Sequence, residues 1–423
     1  MTKRYPFPQK KVFQVLFGLY LFSILYFCRV SQVSYYLLGF YKSQFLSLSI
    51  TLLALLIFLI YQRRHLLQIV FNYRIALAIL FAAAILIPMC VKKDWQMMYF
   101  SILLSILMGV FFSYFVSCAQ AGKGFCVVMT ILAAYSLAAF FALRPLADRG
   151  ILAPPVFVNA YGGEFYNYLL AFVPKTLVRD RNFGIFREPG VYQFFLFLAL
   201  YLCFYHVQWE KQTSMWVCGG ILCLTLLSTF STGAIAAMAL LLLTVYFEKK
   251  LYRSTLGKLL TALVLGLGIA FLAYLFIRKP PLYTTLLYMF QKVTPGNPSF
   301  DDRFESIHVN LHLLSFRPKV GRDVSYVLEI IADNTSSTTI LFAILGIFSG
   351  WLHVIAWLCL VLRGKGHIVT KLLCLLALAV TFNTQNLISD PYFWIFPIMA
   401  LIECVGCLID RQPKQSVSVP EQP

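Results

Sequence analysis

The sequence predicts an all-α polytopic integral membrane protein of about twelve transmembrane helices with two long extracytoplasmic loops. Three observations predict it. Only 12% of the 423 residues are charged while 60% are hydrophobic, too little charge to cover a soluble fold. Apolar runs of about 18 to 24 residues recur along nearly the whole chain, each long enough to cross a bilayer core as a helix. Basic residues fall unevenly on alternate connections, as the positive-inside rule expects of a membrane protein.

The spans read as 11–28, 44–61, 72–90, 95–118, 125–143, 191–208, 213–230, 232–247, 258–277, 338–362, 369–388 and 392–409. A basic head, MTKRYPFPQKK, precedes the first. With no small-x-small cleavage site after it, that span is expected to stay in place. Residues 1–410 form one membrane domain, interrupted by long polar stretches at 144–190 and 278–337, and 411–423 is expected to be a disordered cytoplasmic tail. With the N-terminus inside, inner segments hold eighteen Lys and Arg and the short outer loops hold Arg29, Lys42, Lys92 and Lys93. Both termini are therefore expected in the cytoplasm and both long loops outside. The net charge of +18 is then a topology signal and an attraction to membrane lipid, not a nucleic-acid footprint. All eleven cysteines lie in or at the ends of apolar runs, which marks them as packing residues rather than disulfide or metal-site residues.

The long loops differ in kind. They hold ten of the seventeen acidic residues among thirteen Lys and Arg. Topology needs none of that charge, so the outer face is where chemistry is expected. In RNFGIFREPGVYQ, Pro189 suits the first turn of a helix, where its missing N–H is harmless. Glu188 then sits at the helix N-terminus, with Arg179, Arg181 and Arg187 crowding the same end. Glu188 as a simple cap with snorkelling arginines is one reading. An anion site for phosphate or diphosphate, built from converging guanidinium forks at a helix N-terminus, is the other.

In the second loop, DDRFESIHVNLHLLSFRPKVGRD places Phe304, Ile307, Leu311 and Leu314 on one stripe, predicting an amphipathic helix against the membrane or the bundle. Arg303, Glu305, His308 and His312 flank the stripe, and Arg317, Lys319 and Arg322 follow around Pro318 and Gly321. Glu305, His308 and His312 share helical spacing, but with no further ligand a metal site is not expected. Asp333 and Asn334 precede the Ser/Thr-rich entry to the span beginning near 338, where Asp and Asn are ordinary N-cap residues. The turn LSTFSTGAIA is too short for an independent site, and Glu403 is the main charge inside a span. Scarce in-span charge argues against an ion-driven transporter.

The pattern Arg181-x-x-Gly184-x-Phe186-x-Glu188-Pro189-Gly190 opening a span resembles the bacterial polysaccharide polymerase and ligase superfamily, the Wzy-type O-antigen polymerases and O-antigen ligases. Arg303 ahead of Pro318 and Gly321, then Asn334-Thr335 followed by Gly346-Ile347 and Gly350, fit the same order and sidedness. Three departures stand out. Asp333 replaces the histidine that ligases carry before the asparagine, Asp323 replaces a second glycine, and the turn between spans 7 and 8 lacks an arginine.

The resemblance implies a membrane glycosyltransferase of polysaccharide biosynthesis, for O-antigen, capsule or exopolysaccharide. Its substrate would be an oligosaccharide on undecaprenyl diphosphate, with a chain-length regulator and a flippase as partner proteins and no cofactor. Arg181, Arg187 and Arg303 are expected on the diphosphate, with Arg179, Arg317 and Arg322 as further candidates. Glu188 or Asp333 is expected as base or acceptor-orienting group, and His308, His312 and Asn334 are secondary candidates. The rival readings are a ligase and a polysaccharide flippase.

Overall fold

The computed structural model describes residues 10–34, 40–61, 72–158, 162–176, 180–278, 291, 294–331 and 334–410. The chain is helical almost throughout. Helices α1 (Lys10–Phe27), α2 (Phe40–Tyr61), α3 (Tyr73–Lys92), α4 (Met97–Ser113) and α5 (Cys118–Ala138) lead to the first long loop. Helix α5 runs on through a π turn, Ala139–Leu143, and a last turn, Arg144–Asp148, so that loop begins five residues later than residue 144. It carries a small antiparallel sheet, β1 (Val156–Val158), β2 (Glu164–Asn167) and β3 (Phe172–Pro174), in the order β1-β2-β3. Phe165 pairs with Phe157 across one strand boundary and with Pro174 across the other.

After the loop come α6 (Pro189–Tyr205), α7 (Gln212–Ser228), α8 (Thr232–Glu248) and α9 (Thr255–Arg278). The second long connection contains α10 (Pro298–Phe316) and α11 (Val324–Ile330). The chain then closes with α12 (Ser337–Arg363), α13 (Ile368–Phe382) and α14 (Tyr392–Asp410).

Among the described residues, four helices, Tyr73–Lys92, Cys118–Asp148, Ser337–Arg363 and Tyr392–Ile409, are long and apolar enough to cross a membrane, and seven shorter apolar helices accompany them. Helix α6 is the centre of the bundle: every residue from Val191 to Tyr205 is buried. Its sequence, PGVYQFFLFLALYLCFY, is apolar on all sides, as a helix enclosed by others must be. Helices α5, α7 and α8 pack on it, α10 packs on α12, and α14 packs on α4 and α12. The Arg-Glu-Pro-Gly corner therefore opens a helix enclosed on every side from Val191 to Tyr205.

Helix α12 is broken at Gly346, whose φ of 81° and ψ of 179° lie outside the helical region. A break inside an apolar helix frees backbone groups that lipid cannot satisfy, so neighbours must supply partners. The Pro318–Arg322 loop does this. The Ile347 N–H donates to Pro318 O at 2.8 Å, and the Arg322 N–H donates to Ala343 O at 2.7 Å. Lys92 Nζ completes the repair, donating to Arg322 O at 2.9 Å and to the Ile344 carbonyl. Two glycines make the contact close enough. A Cβ on Gly346 would stand 2.5 Å from Lys319 O, and one on Gly321 (φ 70°) would stand 2.5 Å from the carbonyl carbon of Ile344.

The expected amphipathic helix forms as α10, with Ile307 and Leu314 of its apolar stripe half-buried. Ser306, Asn310 and Leu313 are buried, while Phe304 and Leu311 are 60% and 49% exposed.

Candidate active site

The corner at Glu188 is held from two sides. On one, the turn after α1 pairs with it as a strand would: the Gln32 N–H donates to Ile185 O at 2.7 Å, and the Arg187 N–H donates to Val30 O at 2.9 Å. Ser31 and Phe186 form an isolated antiparallel bridge between them. On the other side lies the connection between α13 and α14. Gln385 Nε2 donates to Glu188 Oε2 at 3.0 Å, while Arg187 Nε lies 3.4 Å from Glu188 Oε1. A Cβ on Gly190 would stand 2.8 Å from Gln385 Nε2, so the glycine makes room for that amide.

Glu188 occupies the N-cap position of α6, yet its side chain makes no capping bond to the helix amides. It turns instead toward Gln385 and Arg187. About half of its side-chain surface is open to the exterior, against 18% for Arg187. A carboxylate fixed by one amide donor and an ion pair at a positive helix end, and still reachable, can accept a proton or orient a hydroxyl.

Gln385 ties this corner to the entry of α12. The Ser337 hydroxyl donates to Gln385 O and accepts the Leu387 N–H at 2.9 Å. Ser336 Oγ donates to Asn383 Oδ1 at 2.6 Å and accepts the Thr339 N–H at 3.3 Å, which makes Ser336 the cap of α12. Asn334 is not that cap. It exchanges two hydrogen bonds with Asn310 of α10, at 2.8 and 3.1 Å, both side chains being buried. Ser306, one turn earlier on α10, accepts the Thr335 N–H at 3.2 Å. The two long loops and the α13–α14 connection thus meet in one polar network.

The remaining candidates are dispersed around this network. Arg303 stands on α10 one turn before Ser306, half-buried, with burial holding its pKa below the usual arginine value against the pull of Asp302. Arg181 is tied to the turn between α7 and α8, its Nε donating to Thr229 O at 3.0 Å. Buried Asn182 anchors it there through Ser136 and Ser228. The Arg322 guanidinium lies against the rings of Phe316 and Tyr326, at 5.4 and 5.5 Å, while Arg317 is exposed. His308 and His312 are exposed with parallel rings 6.5 Å apart. Among the described residues no group of three His, Cys, Asp or Glu side chains could hold a metal ion. Arg179 and Asp333 lie outside the described residues, as does the tail 411–423.

Several residues that matter to this geometry escape a reading by apolar runs. Asn383 to Ile388, read as the end of a span, is an irregular connection after α13 stops at Phe382. The polar run Asn383-Thr384-Gln385-Asn386 was the available signal. Lys92, read only as a topology charge, and Asp94, which no motif marks, hold the second loop: Asp94 Oδ2 accepts the Val324 N–H at 2.8 Å and the Tyr99 hydroxyl at 3.0 Å. Inside the bundle, Glu403 is neutralised by Arg363 at 3.2 Å. His353 of α12 is buried there too, 1% exposed against the rings of Phe393 and Trp394.

No family model matches this chain, and no curated protein and no solved structure shows significant similarity to it.

Proposed function

We propose that this protein polymerises oligosaccharide repeat units carried on undecaprenyl diphosphate, at the outer face of a bacterial cytoplasmic membrane. The observation that carries the reading is the Glu188 carboxylate, held by Gln385 and Arg187 at the mouth of α6 and left half open. The order of the arginine, glycine and asparagine motifs supports the family, and the uneven loop charges support a twelve-span topology with both termini inside.

In this mechanism a sugar hydroxyl of the acceptor attacks the anomeric carbon of the donor. The bond from that carbon to the diphosphate oxygen breaks, and the lipid diphosphate leaves with the electron pair. Glu188 takes the hydroxyl proton. A positioned base of this kind contributes about 10²–10⁴-fold to the rate. The leaving group already carries its phosphates, so the further task is to stabilise developing negative charge. Guanidinium forks at Arg187 and Arg303 match phosphate oxygens for that purpose, and Arg317 and Arg322 extend the cationic surface.

The test is purified protein in liposomes supplied with a lipid-linked repeat unit alone. A ladder of products supports polymerisation. No ladder, but transfer once a different acceptor is added, makes the protein a ligase, and movement across the bilayer without a new glycosidic bond makes it a flippase. Full-length polymer from normally expressed Arg187→Ala and Arg303→Ala would remove both arginines from the mechanism.

A further inference from the structure

The end of α6 away from Glu188 carries a cavity of its own. Phe204 and Tyr205 of its last turn, with Val245 of α8, floor an open-sided space of about 60 Å³ whose walls are Glu248, Lys249, Lys365 and Gly366. The 17 residues of α6 set this cavity about 25 Å from the Glu188 corner. We propose that it seats the phosphate of an anionic glycerophospholipid, with Lys249 and Lys365 as the pairing cations. The seat is independent of the polymerase reading. Only its assignment to the cytoplasmic leaflet rests on the topology proposed above.

The space suffices. A water occupies roughly 10–15 Å³ of such room, so the cavity holds about four, the size of the four oxygens around a phosphorus.

The donors are open as well. Other cations at this end of the bundle are engaged: Arg363 pairs with Glu403 at 3.2 Å, and Lys371 Nζ donates to Leu362 O at 2.7 Å. Lys249 and Lys365 differ. Both are exposed, and among the described residues neither side chain donates a hydrogen bond or closes an ion pair. Lys249 does no more than lend its charge to the adjacent Glu248. Their backbones are nonetheless fixed. Lys249 is the C-cap of α8, and Lys365, in the turn between α12 and α13, donates its N–H to Tyr205 O at 2.9 Å. Each ammonium is a compact charge with three donors on a flexible stem, suited to a phosphate oxygen arriving from outside.

The carboxylate in the wall is already committed elsewhere. Glu248 Oε1 accepts the His367 N–H at 2.6 Å and the Thr370 hydroxyl at 2.5 Å, so it faces the first turn of α13. Gly366 permits that contact: its φ is 112°, and a Cβ there would stand 2.9 Å from Glu248 Oε1. Two lysines against one carboxylate leave the lining net positive, and exposed Lys250 and Arg253 follow in the next turn.

The surroundings favour a lipid over free phosphate. Helices α8 and α13 pack on each other, and beside the cavity both turn large apolar side chains outward, Leu243 and Phe247 on one and Ile368 and Leu372 on the other. Acyl chains can run along those side chains while the headgroup meets the lysines. A basic pocket between apolar helices at a membrane surface is the arrangement that holds phospholipid headgroups.

The experiment titrates phosphatidylglycerol onto the detergent-purified full chain and counts bound lipid by native mass spectrometry. One molecule is expected to bind well ahead of any others, and zwitterionic phosphatidylcholine should show no such step. Lys249→Ala/Lys365→Ala should weaken that first molecule by about 30-fold, the combined effect of two lysines near a lipid surface. Lys211→Ala/Lys258→Ala removes the same charge from exposed positions outside the cavity and should leave the first molecule unchanged. Thermal melting and size exclusion establish that each variant is folded, and Lys365→Gln alone should give a smaller loss of the same kind if the cavity pair is unstable. Equal weakening in the two pairs would reduce the seat to attraction by net charge and overturns it, as does wild-type affinity in Lys249→Ala/Lys365→Ala. Displacement of the first lipid by millimolar inorganic phosphate overturns the lipid as occupant. A glycan ladder, present or absent, bears on the polymerase and not on this seat.

Discussion

Gln385 donates its side-chain amide to Glu188 over 3.0 Å, joining a connection near the end of the chain to the mouth of α6. The contact fills the space that Gly190 leaves open, so it is built into the packing of the corner. If Glu188 is the base, Gln385 fixes where its second oxygen points. Gln385→Ala is expected to lower the polymerisation rate by about 10–100-fold while moving the melting temperature little, since a single part-buried hydrogen bond is worth about 0.5–1.5 kcal/mol. Gln385→Glu should be worse, because a second carboxylate there opposes ionisation of the first. Initial rates in liposomes beside thermal melts decide it. Wild-type rates in both variants would take Gln385 out of the site.

Gly321 and Gly346 meet at the break in α12, and each is the other's reason for being glycine. Both have positive φ, and a methyl group on either would run into the backbone of the opposing segment. Backbone strain of this kind costs about 1–3 kcal/mol before the collision is counted. Gly346→Ala and Gly321→Ala are each expected to lower the melting temperature by at least about 4 °C. The double variant should fall short of the sum, because both changes damage one contact. Strict additivity, or unchanged melting in either single variant, would show that the loop and the break are independent.

How far the sequence discloses this arrangement depends on which rule is asked. Long apolar runs mark the helices well, because crossing a bilayer requires length and composition that nothing else in the chain requires. The same rule hides Asn383 to Ile388, where four polar residues sit between apolar neighbours and a wide window averages them away. It also leaves open which side of α10 meets the bundle, and there Ser306, Asn310 and Leu313 are buried while Phe304 and Leu311 are exposed. Glu188 is legible as an N-cap from Pro189 alone, but its turn toward Gln385 depends on a residue 197 positions away. Lys92 carries no motif. Its role exists only because Gly346 breaks a helix elsewhere.

Arg303 is half-buried on α10, and burial lowers its pKa. Arginine keeps its charge under that pressure because its unperturbed pKa exceeds 12, whereas a lysine begins near 10.4 and is a point charge without a fork. Arg303→Ala is expected to abolish polymer. Arg303→Lys should retain a few per cent of the rate at pH 7 and lose it further as pH rises toward 9, since burial lowers a lysine pKa too. The wild-type rate should show no such decline attributable to residue 303. Rates between pH 6.5 and 9 for the three proteins test this, and a lysine variant that matches wild type across the range would show that only charge, not the guanidinium fork, is needed.

Asp390 makes stability depend on pH in a direction that surface carboxylates do not. Burial pushes its pKa up to about 7, although the Tyr392 N–H, Cys28 and the charge of Arg29 all pull the other way. In the unfolded chain the group titrates near 3.9. Between those values the folded protein holds a proton that the unfolded chain has released, so stability falls as pH rises through the window, by at most about 1.4 kcal/mol per pH unit. Above about pH 7 both states are ionised and the slope disappears. The wild type should therefore melt progressively lower from pH 4.5 to 7 and then level off. Asp390→Asn, which cannot ionise, should lack that decline and be the more stable protein at pH 8. Melting curves of both proteins in detergent across pH 4.5 to 8.5 settle it, and parallel profiles would mean that Asp390 is ionised in the fold at every pH.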